Sequence, residues 1–276
     1  MQITLGFSTC PNDTFIFDAL VNGKIDTEGL EFVPYLSDVE DLNLLAFKGH
    51  LDITKLSYHA WLHVWKSYRI LDSGSALGKG SGPVLVAANP CKDPRYVGLS
   101  VAIPGEYTTA NLLLRLAYPH IKDKKVFVFS EIEQAILDGV ADAGVLIHEN
   151  RFTYENRGLV LLRDLGQFWT DTANTPIPLG GIMAHRRLPD DVTAKVNRLI
   201  RKSLEFAYAN PQGTIPYIRK FAQSMDQEVL DAHLRTFVNE FSIELGEEGR
   251  GAVHKLIEKA KAGGLIKEVP HDFFVK

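Results

Sequence analysis

The residue in this chain best placed by type and position to move a proton is His148. A short apolar run, 144–147, predicts a buried strand that stops at His148, and three polar residues, 149–151, follow it. In an open α/β sheet, ligands bind beyond the carboxyl ends of the strands, and a histidine there can act as a general base near neutral pH. A histidine that only caps the strand end is the more common explanation of such a stretch, so the elements around it must decide.

Four polar turns follow predicted strands and would meet if two sheets pointed their carboxyl ends at one cleft. They span residues 8–14, 55–57, 105–109 and 148–151. Two of them open helices, whose N-termini favour anions. Such a set suits a small organic acid bound by hydroxyl groups, backbone N–H groups and a cation, either Lys55 or Arg151. Polar turns follow most strands, however, so a shared binding site at these turns requires two lobes that face each other.

Cys10 directly precedes the N-terminus of a predicted helix, where a thiolate would be stabilised. A catalytic nucleophile is one alternative at this position, but we expect a small residue that lines the pocket. Asn12 or Asp13 is expected to cap the helix, because their side chains can accept hydrogen bonds from its first turn.

The composition is that of a globular protein with enough apolar material for a core. The chain has 276 residues, 45% hydrophobic and 23% charged, and a formal net charge of −4 without a long basic run. These values favour neither nucleic acid nor a membrane surface as a partner, and no stretch approaches the roughly 18 to 20 apolar residues of a membrane span. Cys10 and Cys91 have neither zinc-site spacing nor a disulfide pattern, and no secretory signal is evident. We expect a cytoplasmic protein, and the sequence leaves the oligomeric state, including a homodimer, open.

Motifs for metal or phosphate chemistry are incomplete. His148 begins a stretch like a zinc-protease helix, but Phe152 stands where the second histidine belongs. His59 and His63 are four residues apart on a predicted helix, but tryptophans alternate with them, which favours a packed or solvated face. The glycine-rich run 78–82 lacks the spacing of a phosphate loop and leads into a strand. No metal site is predicted.

Two units of alternating strands and helices predict two α/β lobes. The predicted strands lie near 3–7, 30–35 and 51–56 in the first unit, and near 99–103, 126–129 and 143–147 in the second. Ser37 with Glu40, and Ser130 with Glu133, have capping-box spacing at helices within these units.

The chain is expected to cross between the lobes twice, and the crossings would form a hinge. Glycine, proline and an apolar extended run combine at 78–89 and 176–185, with hinge strands near 83–89 and 178–185. We assign residues 1–88 and 184–276 to the first lobe, which includes the C-terminal helices, and residues 89–183 to the second. Each lobe is predicted to have a central, mostly parallel sheet flanked by helices, with a cleft between the lobes.

Six short motifs are spread in order over nearly the whole chain. They are FSTCPNDTF (7–15), KLSY (55–58), GSALGKGSGP (74–83), PGEYTTA (104–110), IHENRFT (147–153) and FVNEFS (237–242). Together they resemble the 1,4-dihydroxy-6-naphthoate synthase family, which belongs to the futalosine route to menaquinone. A set of motifs in one order is far more specific than any single motif.

The resemblance implies a fold like the type II periplasmic binding proteins, in agreement with two lobes. It implies a lyase that converts cyclic de-hypoxanthine futalosine to 1,4-dihydroxy-6-naphthoate and a small sugar-derived fragment, through base-initiated ring opening and carbon–carbon cleavage. It implies neither a redox cofactor nor a metal. The substrate is a small molecule that carries a carboxylate.

The resemblance also implies residue roles. His148 matches the proposed proton acceptor of the family. The stretches that match substrate-contacting residues are Lys55, Leu56 and Ser57, together with Thr108 and Thr109. We add Asn12, Cys10 and Arg151 as candidate binding residues. The hydroxyl groups of Ser57, Thr108 and Thr109 would then stabilise negative charge that develops on the substrate.

Two other functions are compatible with this architecture. A binding protein or sensor for a small anion would share the fold, but solute-binding proteins usually need export, and a binder has no evident need for a base at His148. The sister enzyme chorismate dehydratase also shares the fold. The motifs at 10–14 and 148–152 resemble the naphthoate synthase instead.

Overall fold

The computed structural model describes residues 1–89, 95, 98–222 and 226–275, so Cys91 lies outside the described residues. The strands are β1 (Gln2–Phe7), β2 (Glu31–Leu36), β3 (Ile53–Ser57), β4 (Tyr68–Ile70), β5 (Ala76–Gly78), β6 (Val84–Ala87), β7 (Val101–Ile103), β8 (Lys124–Val126), β9 (Ala143–Leu146), β10 (Val160–Asp164) and β11 (Ile177–His185).

The helices alternate with these strands and then fill the C-terminal part of the chain. They are α1 (Pro11–Val21), α2 (Val39–Phe47), α3 (Tyr58–Val64), α4 (Thr109–Ala117), α5 (Ile132–Leu137), α6 (Asn150–Thr153), α7 (Leu165–Ala173), α8 (Asp190–Ala209), α9 (Pro211–Phe221), α10 (Gln227–Phe237), α11 (Glu240–Ile243) and α12 (Gly246–Ala262).

The first sheet has the strand order β2-β1-β3-β11-β4, and β5 also pairs with β11. β1 runs parallel to β2 and β3, whereas β11 runs antiparallel to β3, β4 and β5. Every residue of β3 is buried, as expected for a strand covered on both faces. Because β1 and β3 are parallel, the segments that follow them meet at one edge of the sheet.

The second sheet has the strand order β10-β6-β9-β7-β8. β7 runs parallel to β8 and β9, whereas β6 runs antiparallel to β9 and β10. Both sheets are therefore mixed rather than mostly parallel. A parallel neighbour needs a crossover connection, and the strands that arrive from the other sheet, β6 and β11, pair antiparallel instead.

The chain passes between the sheets twice. It leaves the first sheet after Gly78, enters the second at Val84 and returns to the first at Ile177. The strand pairing places both passages on the N-terminal side of the lobe boundaries, which were expected at residues 88 and 183. The first passage packs against the start of α7, where a Cβ atom on Gly82 would lie 2.9 Å from Cα of Gly166. This close approach requires glycine.

One apolar cluster connects the two sheets. It includes Leu56 and Met183 of the first sheet, Val101 and Val145 of the second, and Trp169 of α7. A second cluster joins the first sheet to α1 and α8, and a third lies beside the second sheet. Because the first cluster is continuous, the lobes contact each other along the base of the cleft and not only through the two passages.

The C-terminal helices cover both parts of the molecule. α8, α9 and α10 pack against α1, whereas α12 packs against β11 and reaches α4. Among the described residues, no helix is both long enough and apolar enough to cross a membrane.

Two predicted helix starts in the first lobe are wrong for the same reason: the residues expected to cap have other partners. α1 begins at Pro11 with Cys10 at the N-cap, because proline suits the first helical position, and Asp13 lies inside the first turn. α2 is capped by Asp38 rather than Ser37, with the Asp38 carboxylate accepting from the Glu40 N–H at 2.8 Å.

The start of α5 also differs from the prediction. A short 3-10 helix, Phe129–Glu131, precedes α5, and no side chain caps α5 itself. The neighbouring strand ends at Val126, so most of the strand predicted over 126–129 is not extended in this way. The capping-box spacing of Ser130 and Glu133 is therefore not used.

Candidate functional site

A cavity lies between the two sheets, near the carboxyl ends of β1, β3 and β9. It contains about 640 Å³ of empty space, its open mouth included. The predicted site residues in its wall are Asn12, Lys55, Ser57, Thr108, Thr109, His148 and Arg151. The fold thus brings together residues from all four polar turns.

His148 stands two residues after the end of β9 with a left-handed backbone, at a φ of 53°. Its Nε2 atom lies 3.4 Å from Sγ of Cys10, and its ring meets that of Phe129 edge to face, with the centroids 4.7 Å apart. Burial lowers the pKa of His148 to about 4, and the Lys55 charge lowers it further while Asp13 opposes the shift. The imidazole is therefore neutral near pH 7 and can accept a proton.

Cys10 lies against His148 and outside the cavity wall. Burial raises the pKa of its thiol well above the ordinary value, and the negative charges of Glu149 and Asp13 add to the shift. The thiol therefore stays protonated, which disfavours a nucleophilic role, because the thiolate is the reactive form. Cys10 and His148 form a neutral pair.

Asp13 organises the first-lobe side of the cavity. Its carboxylate accepts hydrogen bonds from the backbone N–H and the hydroxyl of Ser8, at 3.1 and 2.7 Å, and from the Asn12 amide at 2.8 Å. It also forms an ion pair with Lys55 at 2.8 Å, and both side chains are buried. Lys55 is therefore electrically compensated before any ligand binds.

Ser57 is the terminus of a polar chain that leads from one lobe to the other. Asn43 accepts from the Ser57 N–H at 3.0 Å and donates to its hydroxyl oxygen at 3.3 Å. The same Asn43 amide donates to Glu40 at 2.9 Å, and Glu40 accepts from the Tyr107 N–H of the second lobe at 2.9 Å. Because the Ser57 hydroxyl accepts from Asn43, its own proton remains available to a ligand.

The two threonine hydroxyls behave differently from the expectation that they donate to substrate. The Thr108 hydroxyl caps α4, accepting from the Asn111 N–H at 3.3 Å and donating to the Gly105 carbonyl at 2.9 Å. The Thr109 hydroxyl donates to the Leu179 carbonyl across the cleft at 2.6 Å. Their protons are thus already used, and this part of the wall can offer the free N–H groups of the first turn of α4 instead.

Arg151 lies where the first passage between the sheets borders the cavity. Its guanidinium donates to the Gly82 carbonyl at 2.5 Å and lies 3.8 Å from the Asp164 carboxylate. Burial lowers the pKa of Arg151 from its usual value. This cation therefore ties α6 to the first passage between the sheets in addition to lining the cavity.

Leu56 does not face the cavity. Lys55 and Ser57 share one face of β3, so the side chain between them points to the other face, as strand geometry requires. There it is fully buried in the cluster that joins the two sheets. It contributes packing to the site rather than a side-chain contact with a ligand.

His59 is packed inside the molecule, whereas His63, one turn later on α3, is exposed. His59 is buried and donates through Nδ1 to the Thr108 carbonyl at 3.0 Å, and its ring centroid lies 5.4 Å from that of His63. Burial lowers the pKa of His59 to about 3. The described residues contain no group of three or more histidine, cysteine or acidic side chains arranged to hold a metal.

Several residues of the site have no signal in their local sequence. His233 of α10 is fully buried, and its Nε2 lies 2.9 Å from Oδ1 of Asn12. Its ring stacks on that of His148, with the centroids 6.2 Å apart. Phe237, one turn later, lines the cavity and belongs to the FVNEFS motif, a sequence feature near His233 that could have indicated that this C-terminal helix contributes to the site.

The chain matches a family model described as menaquinone biosynthesis over residues 3–262. It is 43% identical to the 1,4-dihydroxy-6-naphthoate synthase of Thermus thermophilus, over 99% of both chains. A solved structure of a protein from Archaeoglobus fulgidus is 37% identical, has a TM-score of 0.91, and covers 96% of this chain and 98% of its own.

A more distant solved structure identifies the fold alone. The alkanesulfonate-binding protein of Xanthomonas axonopodis, bound to MOPS, is 12% identical and has a TM-score of 0.71, and the match covers 99% of this chain and 96% of that one. The predicted two-lobed fold of the periplasmic binding proteins is thereby confirmed. The identity over the full length of the Thermus enzyme is far higher, and the chain belongs to the 1,4-dihydroxy-6-naphthoate synthase family of menaquinone biosynthesis, a family of enzymes.

Proposed function

We propose that this enzyme is a lyase that converts cyclic de-hypoxanthine futalosine to 1,4-dihydroxy-6-naphthoate, with His148 as the base. The observation that carries the proposal is a neutral imidazole in the wall of the cavity between the two sheets. A binding protein has no evident use for such a group. We also propose a cytoplasmic location, because the family belongs to a biosynthetic pathway.

The proposed reaction requires a proton acceptor. Opening the sugar-derived ring and breaking a carbon–carbon bond each require removal of a proton and stabilisation of the oxyanion or enolate that remains. The pKa of His148, about 4, keeps its imidazole neutral at neutral pH, so one ring nitrogen carries a lone pair that can accept a proton. The imidazolium formed in the reaction is then a relatively strong acid, so His148 can return the proton to a later intermediate.

Negative charge on the substrate would be stabilised by neutral donors. The Ser57 hydroxyl can donate, because it accepts from Asn43 and is not bonded through its own proton to that amide. Thr109 and Ala110 of the first turn of α4 line the same cavity, and their backbone N–H groups would add to these donors. Fixed donors of this kind favour the charged transition state without reorganisation.

The carboxylate of the substrate is assigned to Lys55 or Arg151, the two cations in the wall. Lys55 retains donors beyond the one given to Asp13, and Arg151 retains donors beyond those given to Gly82 and Asp164. Replacing each by Met should raise the Michaelis constant for the residue that binds the carboxylate. An unchanged constant in both variants would remove this assignment.

Contacts between the lobes would exclude water during the reaction. Cys10 touches His148, Thr109 reaches Leu179, and Glu40 reaches Tyr107, each pair joining the two sides of the cleft. Opening and closing about the two passages between the sheets would admit the substrate and release the product. We propose that the passages at 79–83 and 174–176 act as the hinge.

The direct test is turnover of cyclic de-hypoxanthine futalosine by the purified protein, followed through the naphthoate chromophore. His148→Ala should reduce turnover by roughly 10²-fold or more, whereas His254→Ala, on the exposed face of α12, should not. Wild-type turnover with an unimpaired His148→Ala variant would keep the reaction and remove the base. Tight binding of a small acid without turnover would favour a binding protein, and loss of water from chorismate would favour the dehydratase.

A further inference from the structure

His233 contacts the site from outside the polar turns, and no motif predicted from strand ends includes it. The side chain is fully buried on α10. Its ring lies between His148 and Phe237, with centroid distances of 6.2 and 4.9 Å. Among the described residues, its one hydrogen bond is the 2.9 Å contact from Nε2 to Oδ1 of Asn12. A buried imidazole with this single polar contact must contribute either through packing or through its hydrogen bond to Asn12.

The hydrogen-bond chain determines which His233 nitrogen carries the proton. The Asn12 amide lies 2.8 Å from the Asp13 carboxylate, which accepts only, so Nδ2 of Asn12 must face Asp13. Oδ1 of Asn12 therefore faces His233 and needs a donor. His233 must carry its proton on Nε2, and burial lowers its pKa well below the ordinary value, so the ring is neutral.

The other ring nitrogen of His233, Nδ1, is then an unprotonated acceptor. It is buried and has no hydrogen-bond partner among the described residues. The Nε2–H bond to Asn12 is consequently the polar contact that selects this tautomer. Packing alone would not require a histidine, because Phe has a similar ring without the donor.

Asn12 is thereby held from two sides. His233 donates to its oxygen, and Asp13 accepts one of its two amide protons. Asn12 lines the cavity, and its second amide proton has no place in this chain of bonds. We propose that His233 is a positioning residue that fixes the Asn12 amide so that it donates a hydrogen bond to an oxygen of the substrate. The identity of that substrate rests on the proposed function, whereas the orientation of the amide does not.

The proposal predicts a specific order of variants. His233→Phe keeps the ring and removes the donor, so kcat/KM should fall roughly tenfold to hundredfold because the Asn12 amide can then rotate. His233→Gln places an amide N–H near the position of Nε2 and should restore most of the activity. His254→Phe, at an exposed position of α12, is the control and should have no effect.

A double-mutant cycle decides whether His233 acts through Asn12. In an Asn12→Ala background, His233→Phe should cause little further loss, since the group that it positions is absent. Full, independent losses in the double variant would overturn the proposal. Equal damage by His233→Phe and His233→Gln would also overturn it, because a merely structural role would treat them alike.

A spectroscopic measurement separates this proposal from the proposed function. In ¹⁵N-labelled wild-type protein without substrate, His233 should show the neutral Nε2–H tautomer, and the Asn12 side-chain amide should exchange slowly. In His233→Phe the Asn12 amide should exchange faster. An Nδ1–H tautomer in the wild type would disprove the positioning role, whichever substrate the enzyme converts. If the wild type shows the Nε2–H tautomer but does not turn over the proposed substrate, only the proposed reaction is rejected.

Discussion

The Sγ atom of Cys10 lies 3.4 Å from Nε2 of His148. This contact joins the N-cap of α1 in the first lobe to the proposed base in the second lobe. Burial keeps the thiol protonated and the imidazole neutral, so the tautomer of His148 sets the direction of this contact: the S–H group donates to an unprotonated Nε2, or an Nε2–H group donates to the sulfur. In either tautomer Nε2 of His148 faces Cys10. A substrate proton therefore reaches His148 either by displacing the Cys10 contact at Nε2 or at the other ring nitrogen, Nδ1.

This geometry predicts that Cys10 is dispensable for the chemical step. Cys10→Ala should keep kcat within about tenfold of the wild type, because burial keeps the thiol protonated and the residue lies outside the cavity wall, so it forms no covalent bond with the substrate. Steady-state kinetics of Cys10→Ala and Cys10→Ser provide the measurement, with Cys10→Ser retaining a donor to His148. Loss of all turnover in both variants, together with a covalent substrate adduct on Cys10 by mass spectrometry, would instead identify a nucleophile.

The buried Lys55–Asp13 ion pair makes a prediction about stability. Removing one partner leaves a buried charge without compensation, so Asp13→Asn and Lys55→Met should each destabilise the fold by about 3–5 kcal/mol. Both partners are buried, and the Asp13 carboxylate also supports Ser8 and Asn12, so Asp13→Asn should be the more harmful change.

Denaturant unfolding measures both variants and the double replacement. The double variant should recover part of the loss, because no uncompensated charge remains. The exposed pair of Lys255 and Glu258 on α12 is the control, and Lys255→Met should change stability by about 1 kcal/mol or less. Losses in the double variant equal to the sum of the single losses would show that the pair is not coupled.

The sequence predicted the residues of the site better than their partners. His148, Lys55 and Arg151 follow from local patterns, since each stands in or after a recognisable strand. The partners are distant: 14 residues separate Asn43 from Ser57, and 221 separate His233 from Asn12. Such pairs depend on how helices pack on sheets, and local periodicity in the sequence does not indicate this packing.

Misassigned caps have the same physical cause. Glu40 has the spacing of a capping-box residue, yet its carboxylate accepts from Tyr107 in the other lobe. Asp13 is of a residue type that often caps helices, but its carboxylate instead compensates the charge of Lys55. In both cases a residue with local capping chemistry serves a tertiary contact at the cleft. Most strands and helices could be predicted from the sequence because they depend on burial patterns along a single segment.

Glu40 and the turn at Gly105 form a contact between the lobes that should influence substrate binding. Gly105 has a φ of 153°, and a Cβ atom there would lie 2.3 Å from Cδ of Glu40. Gly105→Ala should therefore displace Glu40 from Tyr107 and favour an open cleft. We expect KM to rise about tenfold, the effect of roughly one lost hydrogen bond to a charged group.

The matched variants separate the clash from backbone strain. Gly158→Ala also places alanine at positive φ, but nothing lies within 4 Å of the added atom, so KM should not change. Glu40→Gln keeps an acceptor for the Tyr107 N–H and should be milder than Gly105→Ala. Small-angle scattering should show a larger radius of gyration for Gly105→Ala without substrate. An unchanged radius and KM would mean that this contact does not control closure.

The buried His59 makes a prediction about the pH dependence of stability. Burial lowers its pKa to about 3 in the folded protein, whereas the ordinary value of about 6.5 applies after unfolding. Between these values the unfolded chain binds a proton that the folded chain does not, so the free energy of unfolding falls as the pH falls below about 6.5. At pH 5 this one group should cost roughly 2 kcal/mol relative to pH 7.

His59→Asn isolates this contribution, because an asparagine amide can still donate to the Thr108 carbonyl but does not titrate. Urea unfolding at pH 7 and pH 5 should show a wild-type loss that exceeds the loss of the variant by roughly 2 kcal/mol. The other groups, including Glu40, whose pKa is raised by burial, are the same in both proteins and cancel in the difference. His50→Asn, at an exposed position, should follow the wild type. The buried Nε2 of His59 has no hydrogen-bond acceptor among the described residues, which favours the neutral ring. Equal losses in the wild type and His59→Asn would mean instead that His59 is protonated in the folded state.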